Sequence, residues 1–270
     1  MDKKVEHQIE LERLFNKNQT VPRVIEEFVN CEEIDFKSIF EQNDIPTKFG
    51  FTLLAQLALH KRADINTICG IMHKHATSMQ ETIDLIKLCA ELDLIDYNTN
   101  FSVFITKYTI SNDVQTDIDR YQYPLPMVVK QKEVKCNTDN GYLTSKGSLI
   151  LQDNHHDDDI CLDHINRANK IRFKLNKDII SVINNSWSNL NKRKSRESVQ
   201  DYQKRISAFE HYNTNAHAVM DLLIQEGNEF YLTHKYDKRG RVYSQGYHVN
   251  YQGNSWNKAV IDFAEEEIVE

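Results

Sequence analysis

The sequence predicts a mainly α protein with small β elements, an α+β chain, on three observations. Gly and Pro are scarce, 8 and 4 among 270 residues, which favours long helices over tight turns. Apolar residues recur at helical spacing through most of the first 95 positions. Strict apolar–polar alternation, the mark of a half-buried strand, is confined to short runs.

Taken in order, helices are expected over about 3–17, 20–30, 35–42, 50–61, 64–75 and 78–92. In the last of these, Ile83, Leu85, Ile86, Cys89, Ala90 and Leu92 share one side. LIDYNTNFSVFITKY comes next, where Phe101, Val103 and Ile105 alternate with polar residues and Asn98-Thr99-Asn100 can turn the chain. A β-hairpin near 94–108 is therefore expected. Helix, short break, helix, hairpin is also the order of a winged helix, so DNA binding is one reading of this part. Against it, Lys87 is the one basic residue in 78–92.

Residues 122–151 carry two prolines, two glycines and short β-rich runs, and suit extended segments crossing between helical parts. A helix over 161–187 would place Ile165, Ala168, Ile171, Leu175, Ile179 and Val182 on a core face. Arg167, Lys170, Lys174 and Lys177 would form a basic stripe on another face. A basic cluster over 189–206 lacks apolar periodicity until Ile206 and suits a flexible loop or thin helical hairpin; a helix is expected at about 199–227. Four regions result: helices with a hairpin over 1–121, an extended crossing over 122–160, the basic helix, basic cluster and second helix over 161–230, and 231–270.

Hydrophobic residues make up 40% of the chain and charged residues 27%, ordinary values for a globular protein. No run of 18 apolar residues offers a membrane span, and MDKKVEHQIELERLF lacks the apolar stretch of a secretory signal. Cys31, Cys69, Cys89, Cys136 and Cys161 are scattered with no CxxC, which reads as free thiols in a reducing cytosol rather than a zinc site. The net charge is −7, yet residues 165–258 hold 16 Lys/Arg against 8 Asp/Glu, leaving −15 for the remainder. A basic segment in an acidic chain points to a local polyanion site, or to solvated helix faces.

NHHDDDIC at 154–161 invites a metal reading. Consecutive ligands on one loop rarely converge on one ion, however, and acidic residues suit the start of the helix after it. YDKRGRVY at 236–243 is more informative. If extended, its period of two puts Asp237, Arg239, Arg241 and Tyr243 on one face, along a line of roughly 14 Å at about 3.4 Å per residue. Gly240 removes a side chain between the arginines and lets a backbone approach. Two guanidiniums and a ring suit phosphates and a base; the alternative is a surface ion-pair ladder. No GxxxxGK[ST], HExxH or GxSxG motif is present.

With these residues laid out, the sequence resembles the single-subunit RNA polymerases of bacteriophages and mitochondria. DKRGRVY (237–243) looks like that family's DxRGRxY signature, with NYQGNSWNK (250–258) after it at matching offsets. AVIDFAEEEIV resembles a short helix beyond that. INRANKIRFKLNKDIISVIN (165–184) is similar to the helix ahead of the thumb, KRISAFEHY to the end of the thumb, and PMVVKQKEV with NGYL (126–143) to a crossing segment. The likeness covers about 125–270 well, 50–110 loosely and 1–50 hardly.

The resemblance implies a right-hand polymerase whose catalytic aspartates, fingers and nucleotide-binding helix lie after residue 270. A truncated pseudo-enzyme would look like this; an enzyme split in two fits better, this chain resembling the smaller subunit of a heterodimeric phage polymerase. That subunit would supply an N-terminal domain, a reduced thumb (161–230) and the first part of the palm (231–270). A larger partner would bind the catalytic Mg²⁺. Template DNA, nascent RNA and an accessory factor that delivers the promoter would be the other partners, in the cytoplasm of an infected bacterial host. Arg239 and Arg241 would contact template or hybrid backbone and Tyr243 the template base, while Asp237 orients an arginine and Lys258 adds a phosphate contact. Lys204 and Arg205, with Arg167, Lys170 and Lys174 of the basic helix, are the further candidates for RNA or DNA backbone. The 94–108 hairpin falls where the family wedges open upstream DNA, with a polar Asn-Thr-Asn turn replacing an apolar tip.

Overall fold

A computed structural model describes residues 2–15 and 17–265. Two compact units emerge: residues 17–119 form one, and the other joins residues 1–16, which carry α1 (Lys3–Leu14), to residues 120–270.

In the 17–119 unit, α2 (Lys17–Val29), α3 (Phe36–Gln42) and α4 (Thr47–His60) surround buried Phe36, Phe40 and Phe49. Then come β1 (Arg62–Asp64), α5 (Ile65–Met72), α6 (Met79–Glu91), β2 (Ile95–Asn98) and β3 (Val103–Thr106). Both later helices begin where a side chain caps them. Asp64 accepts from the backbone of Asn66 and Thr67, and Ser78 from that of Glu81. The sheet order is β1-β3-β2, antiparallel throughout, so the helix–strand–helix–helix–hairpin order is that of a winged helix. α7 (Asn112–Tyr121) closes this stretch, a helix without a counterpart among the expected elements.

The hairpin forms where expected but faces differently. On β3 Phe104 is the buried residue, paired with Ala63 and Tyr97, whereas Phe101 sits beyond the strand in the turn, 71% exposed. The tip therefore carries an aromatic ring beside its polar residues. Phe101 was expected on the same face as Val103 and Ile105; the strand begins only at Val103, so it has no cross-strand neighbour to cover it.

In the other unit, residues 122–161 run without a long element. Met127 and Ile150 make isolated bridges to Tyr231 and Tyr236. The single helix expected over 161–187 is instead three pieces: α8 (Leu162–Ala168), β4 (Phe173–Leu175) and α9 (Lys177–Val182). Phe173 and Leu175 alternate with Arg172 and Lys174, so a period of two was embedded in the apparent helical stripe. Asn176 then caps α9 by accepting from Ile179. As a result Ile171 and Val182 are exposed rather than core, and Arg167, Lys170, Lys174 and Lys177 do not share one helix face.

α10 (Val199–Gln225) comes next, burying Ala216, Val219, Met220 and Leu223. The chain then forms a hairpin of β5 (His234–Tyr236) and β6 (Val242–Ser244), α11 (Ser255–Ala259), and β7 (Ile261–Phe263), which pairs with β4. The short helix expected over AVIDFAEEEIV lies earlier, at 255–259, because Asn254 caps it there. Val260 and Ile261 go into the core as the chain becomes extended. Residues 266–269 of that segment lie outside the described residues. Around Phe173, Leu175, Phe230, Leu232, Trp256 and Val260 these pieces share one apolar core.

No helix among the described residues is long and apolar enough to cross a membrane.

Candidate nucleic-acid interface

YDKRGRVY does not run as one strand. Tyr236 ends β5 and Val242 starts β6, and the five residues between them turn back on themselves. The Gly240 amide donates to the Asp237 carbonyl at 2.8 Å, and the Asp237 amide donates to the Arg241 carbonyl at 3.0 Å. Gly240 adopts φ +77°, a left-handed conformation that side chains disfavour, so glycine is favoured here for backbone geometry. The extended 14 Å line is thereby replaced by a cluster.

Asp237 is the centre of that cluster and is 5% exposed. Its Oδ1 accepts the backbone N–H of Arg239 (2.8 Å) and of Arg241 (3.1 Å). Its Oδ2 accepts Arg241 Nε (2.8 Å) and Nη2 (2.7 Å), Arg239 Nη2 (3.3 Å) and the Tyr243 hydroxyl (3.1 Å). Burial works to raise the carboxyl, but the hydrogen bonds from Arg241 and Tyr243 outweigh it and hold it below the ordinary carboxylate range. The same bond raises the Arg241 guanidinium further above its usual value.

One carboxylate thus fixes two cations and a ring without using up either cation. The side chains of Arg239 and Arg241 remain 64% and 53% exposed, with Lys238 exposed beside them. The Arg241 guanidinium carbon lies 5.8 Å from the Tyr243 ring centroid. With three basic side chains against one acid, the turn offers oriented N–H groups to an anion such as a phosphodiester.

Segments distant in sequence brace the turn. His156 Nε2 lies 3.3 Å from the Asp237 carbonyl, Asn154 Oδ1 accepts the Lys238 amide at 2.9 Å, and the Cys161 thiol sits 3.7 Å from the Gly240 carbonyl. The NHHDDDIC loop therefore buttresses the hairpin, and its Asp159 accepts the Asn137 amide. Gln252 braces the other side of β6, accepting from the Ser244 amide and donating to the Val242 carbonyl. The loop's buttressing carries no local sequence signal, since its partners are about eighty residues away.

The other sequence-selected residues do not join this cluster. Lys258 is exposed in the last turn of α11. Lys204 is exposed on α10, whereas Arg205 spends its guanidinium on Glu197, with Nε–Oε1 and Nη2–Oε2 both at 2.8 Å. That bond, with the Lys194 amide, lowers the Glu197 carboxyl to about 2. Arg167 pairs with Asp163 on α8, Lys170 lies just past that helix, and Lys174 lies on β4. Among the described residues no three His, Cys, Asp or Glu side chains are grouped to hold a metal ion.

No family model matches the chain. A stretch of 135 residues, 46% of the chain, is 27% identical to a protein of Agaricus bitorquis described as "Probable DNA-directed RNA polymerase". A stretch of 124 residues, 44% of the chain, is 28% identical to a protein of the same description from Gelasinospora sp. (strain G114). The matches cover 12% and 14% of those proteins, so the chain spans only a small part of the curated relatives' length. Over these stretches the chain is RNA polymerase-like in sequence.

Proposed function

We propose that this chain is a subunit of a DNA-directed RNA polymerase of the single-subunit type, the part that holds the template and the template–RNA hybrid. The observation that carries this reading is the buried Asp237, which orients two exposed arginines in one turn. The similarity to named polymerases supports it. In this reading Arg239 and Arg241 bind backbone phosphates, Tyr243 lies against the template base, and Lys258 and Lys204 extend the contact. Arg205 instead fixes the start of α10 through Glu197.

The finer assignment is a heterodimeric bacteriophage enzyme in the host cytoplasm. Residues 161–230 form its reduced thumb and 231–270 the first part of its palm. The catalytic aspartates reside on a larger partner chain, where two Mg²⁺ ions supply the chemistry of in-line displacement. This chain alone is then inactive, and an accessory factor delivers promoter DNA. The test is extension of an RNA primer on an assembled template by the co-purified pair. Extension by the partner at full rate without this chain would refute the assignment.

The winged-helix order of residues 47–106 favours one second reading, a stand-alone duplex-binding regulator. Its α6 exposes Asp84 and Glu91 with Lys87, a poor face for phosphates. Salt-sensitive duplex binding by the isolated chain, abolished by changes within 64–105, would establish it.

A further inference from the structure

Away from the Asp237 turn, two buried side-chain amides lack partners. Asn169 Nδ2 and both Nε2 and Oε1 of Gln131 make no hydrogen bond, although the residues are only 3% and 8% exposed. Native structures nearly always pair such groups, so a buried unpaired amide calls for a water, an ion or a ligand as its partner. Both residues line the same cleft, of about 260 Å³, between segment 130–133 and the end of α8.

The cleft is built around these amides. Asn169 Oδ1 lies 2.7 Å from His234 Nδ1, and His234 Nε2 lies 2.9 Å from the Tyr251 hydroxyl. An amide oxygen can only accept, so Nδ1 carries the hydrogen and Nε2 accepts from Tyr251. That relay fixes the Asn169 amide with its nitrogen left over. A Cβ on Gly141 would fall 2.1 Å from Gln131 Oε1 and 3.3 Å from Asn169 Nδ2, so glycine leaves the space that both amides occupy. Asn166 is held by both the amide and the carbonyl of Val134, at 2.9 Å each.

Charge selects the occupant. Lys130 and Lys170 are exposed in the lining, and Lys132 lines it too, although Asp139 holds its ammonium at 3.4 Å; Glu133 is the acidic member. Water would satisfy the amides but leaves the ammonium groups without a counter-charge. A tetrahedral anion with several oxygens can accept from two amide N–H groups and two ammonium groups together, which a two-oxygen carboxylate does less completely.

We propose that this cleft is a phosphate-binding site, with Asn169 and Gln131 as its floor, Lys130 and Lys170 as its charge, and His234 as the residue that positions Asn169. The phosphate comes either from a free nucleotide or from a nucleic-acid strand. The site shares no lining residue with the Asp237 turn, and it stands or falls separately from the polymerase reading.

The test is a nitrogen-15 NMR titration of the Asn and Gln side-chain amides in the full chain. The probes are inorganic phosphate, a nucleoside monophosphate, and an oligothymidine with no terminal phosphate. Saturable shifts of the Asn169 and Gln131 amides are expected, with affinity falling roughly tenfold in the Lys130→Ala/Lys170→Ala variant. Shifts with oligothymidine identify a strand as the source; shifts with inorganic phosphate and the mononucleotide alone identify a free phosphate group. Amides that stay still with every probe, or that shift equally in the double variant, overturn the site. Primer extension, which does not read these amides, would be unaffected by that failure.

Discussion

Asp237 grips Arg241 along one edge of the guanidinium, with Nε at 2.8 Å and Nη2 at 2.7 Å from the same carboxylate oxygen. The side chain is otherwise half exposed, and its remaining edge is the one an anion would meet. If the carboxylate acts by aiming that edge, Asp237→Asn weakens function even though it makes the turn more positive. Primer extension by the assembled enzyme is expected to fall roughly tenfold or more, because a misaimed contact loses much of its worth. A rise in activity would show that total charge, not orientation, governs the site.

Gly240 separates strain from crowding. A Cβ there would make only ordinary contact with the Cys161 sulfur at 3.6 Å, so the cost of Gly240→Ala comes from holding φ at +77°. A loss of about 1 kcal/mol is expected in urea unfolding. Both tryptophans, Trp187 and Trp256, lie in the unit that contains this turn, so their fluorescence reports it. No loss of stability would mean that the turn relaxes.

Burial lowers His234 to about 4, with His164 adding to the effect. The unfolded chain takes up this proton near 6.5 and the folded chain does not, so stability is full above about 6.5 and declines as pH falls toward 4. The contribution is on the order of 3 kcal/mol across that window. An NMR titration should find the His234 imidazole neutral at pH 5. An ordinary midpoint would remove this source of acid sensitivity.

Glu12 organises a distant segment. Its carboxylate accepts the amides of Leu143, Thr144 and Ser145 and the Thr144 hydroxyl, at 2.7 to 3.1 Å, while 1% exposed. Glu12→Ala strands these donors and is expected to cost about 3 kcal/mol or more, with Glu12→Gln costing less. Tryptophan fluorescence in urea checks both, and equal small losses would show that water replaces the carboxylate.

Local signals were legible where one period dominated. α6 and α10 lie close to their expected ranges, and the 94–108 hairpin formed even though Phe104 took the inward place of its odd-numbered neighbours. β4 stayed hidden because Phe173 and Leu175 satisfy a strand's period inside a helical stripe. The residue types of the candidate interface were legible and their geometry was not. Alternation of Asp237, Arg239, Arg241 and Tyr243 fits a strand, but an aspartate three residues before a glycine also fits a tight turn, and the turn prevailed. The unpaired amides of Gln131 and Asn169 left no trace in sequence, since only the folded chain shows which polar groups lack partners.

The most direct measurement is primer extension on an assembled template–RNA scaffold by the proposed two-chain enzyme carrying Arg241→Ala. Arg241 is half exposed in this chain, and co-purification of the proposed partner with the variant checks that the pair still assembles. Loss of a charge-assisted phosphate contact should slow extension roughly tenfold to a hundredfold. Extension at the wild-type rate by an intact heterodimer would contradict a template–hybrid role for this turn.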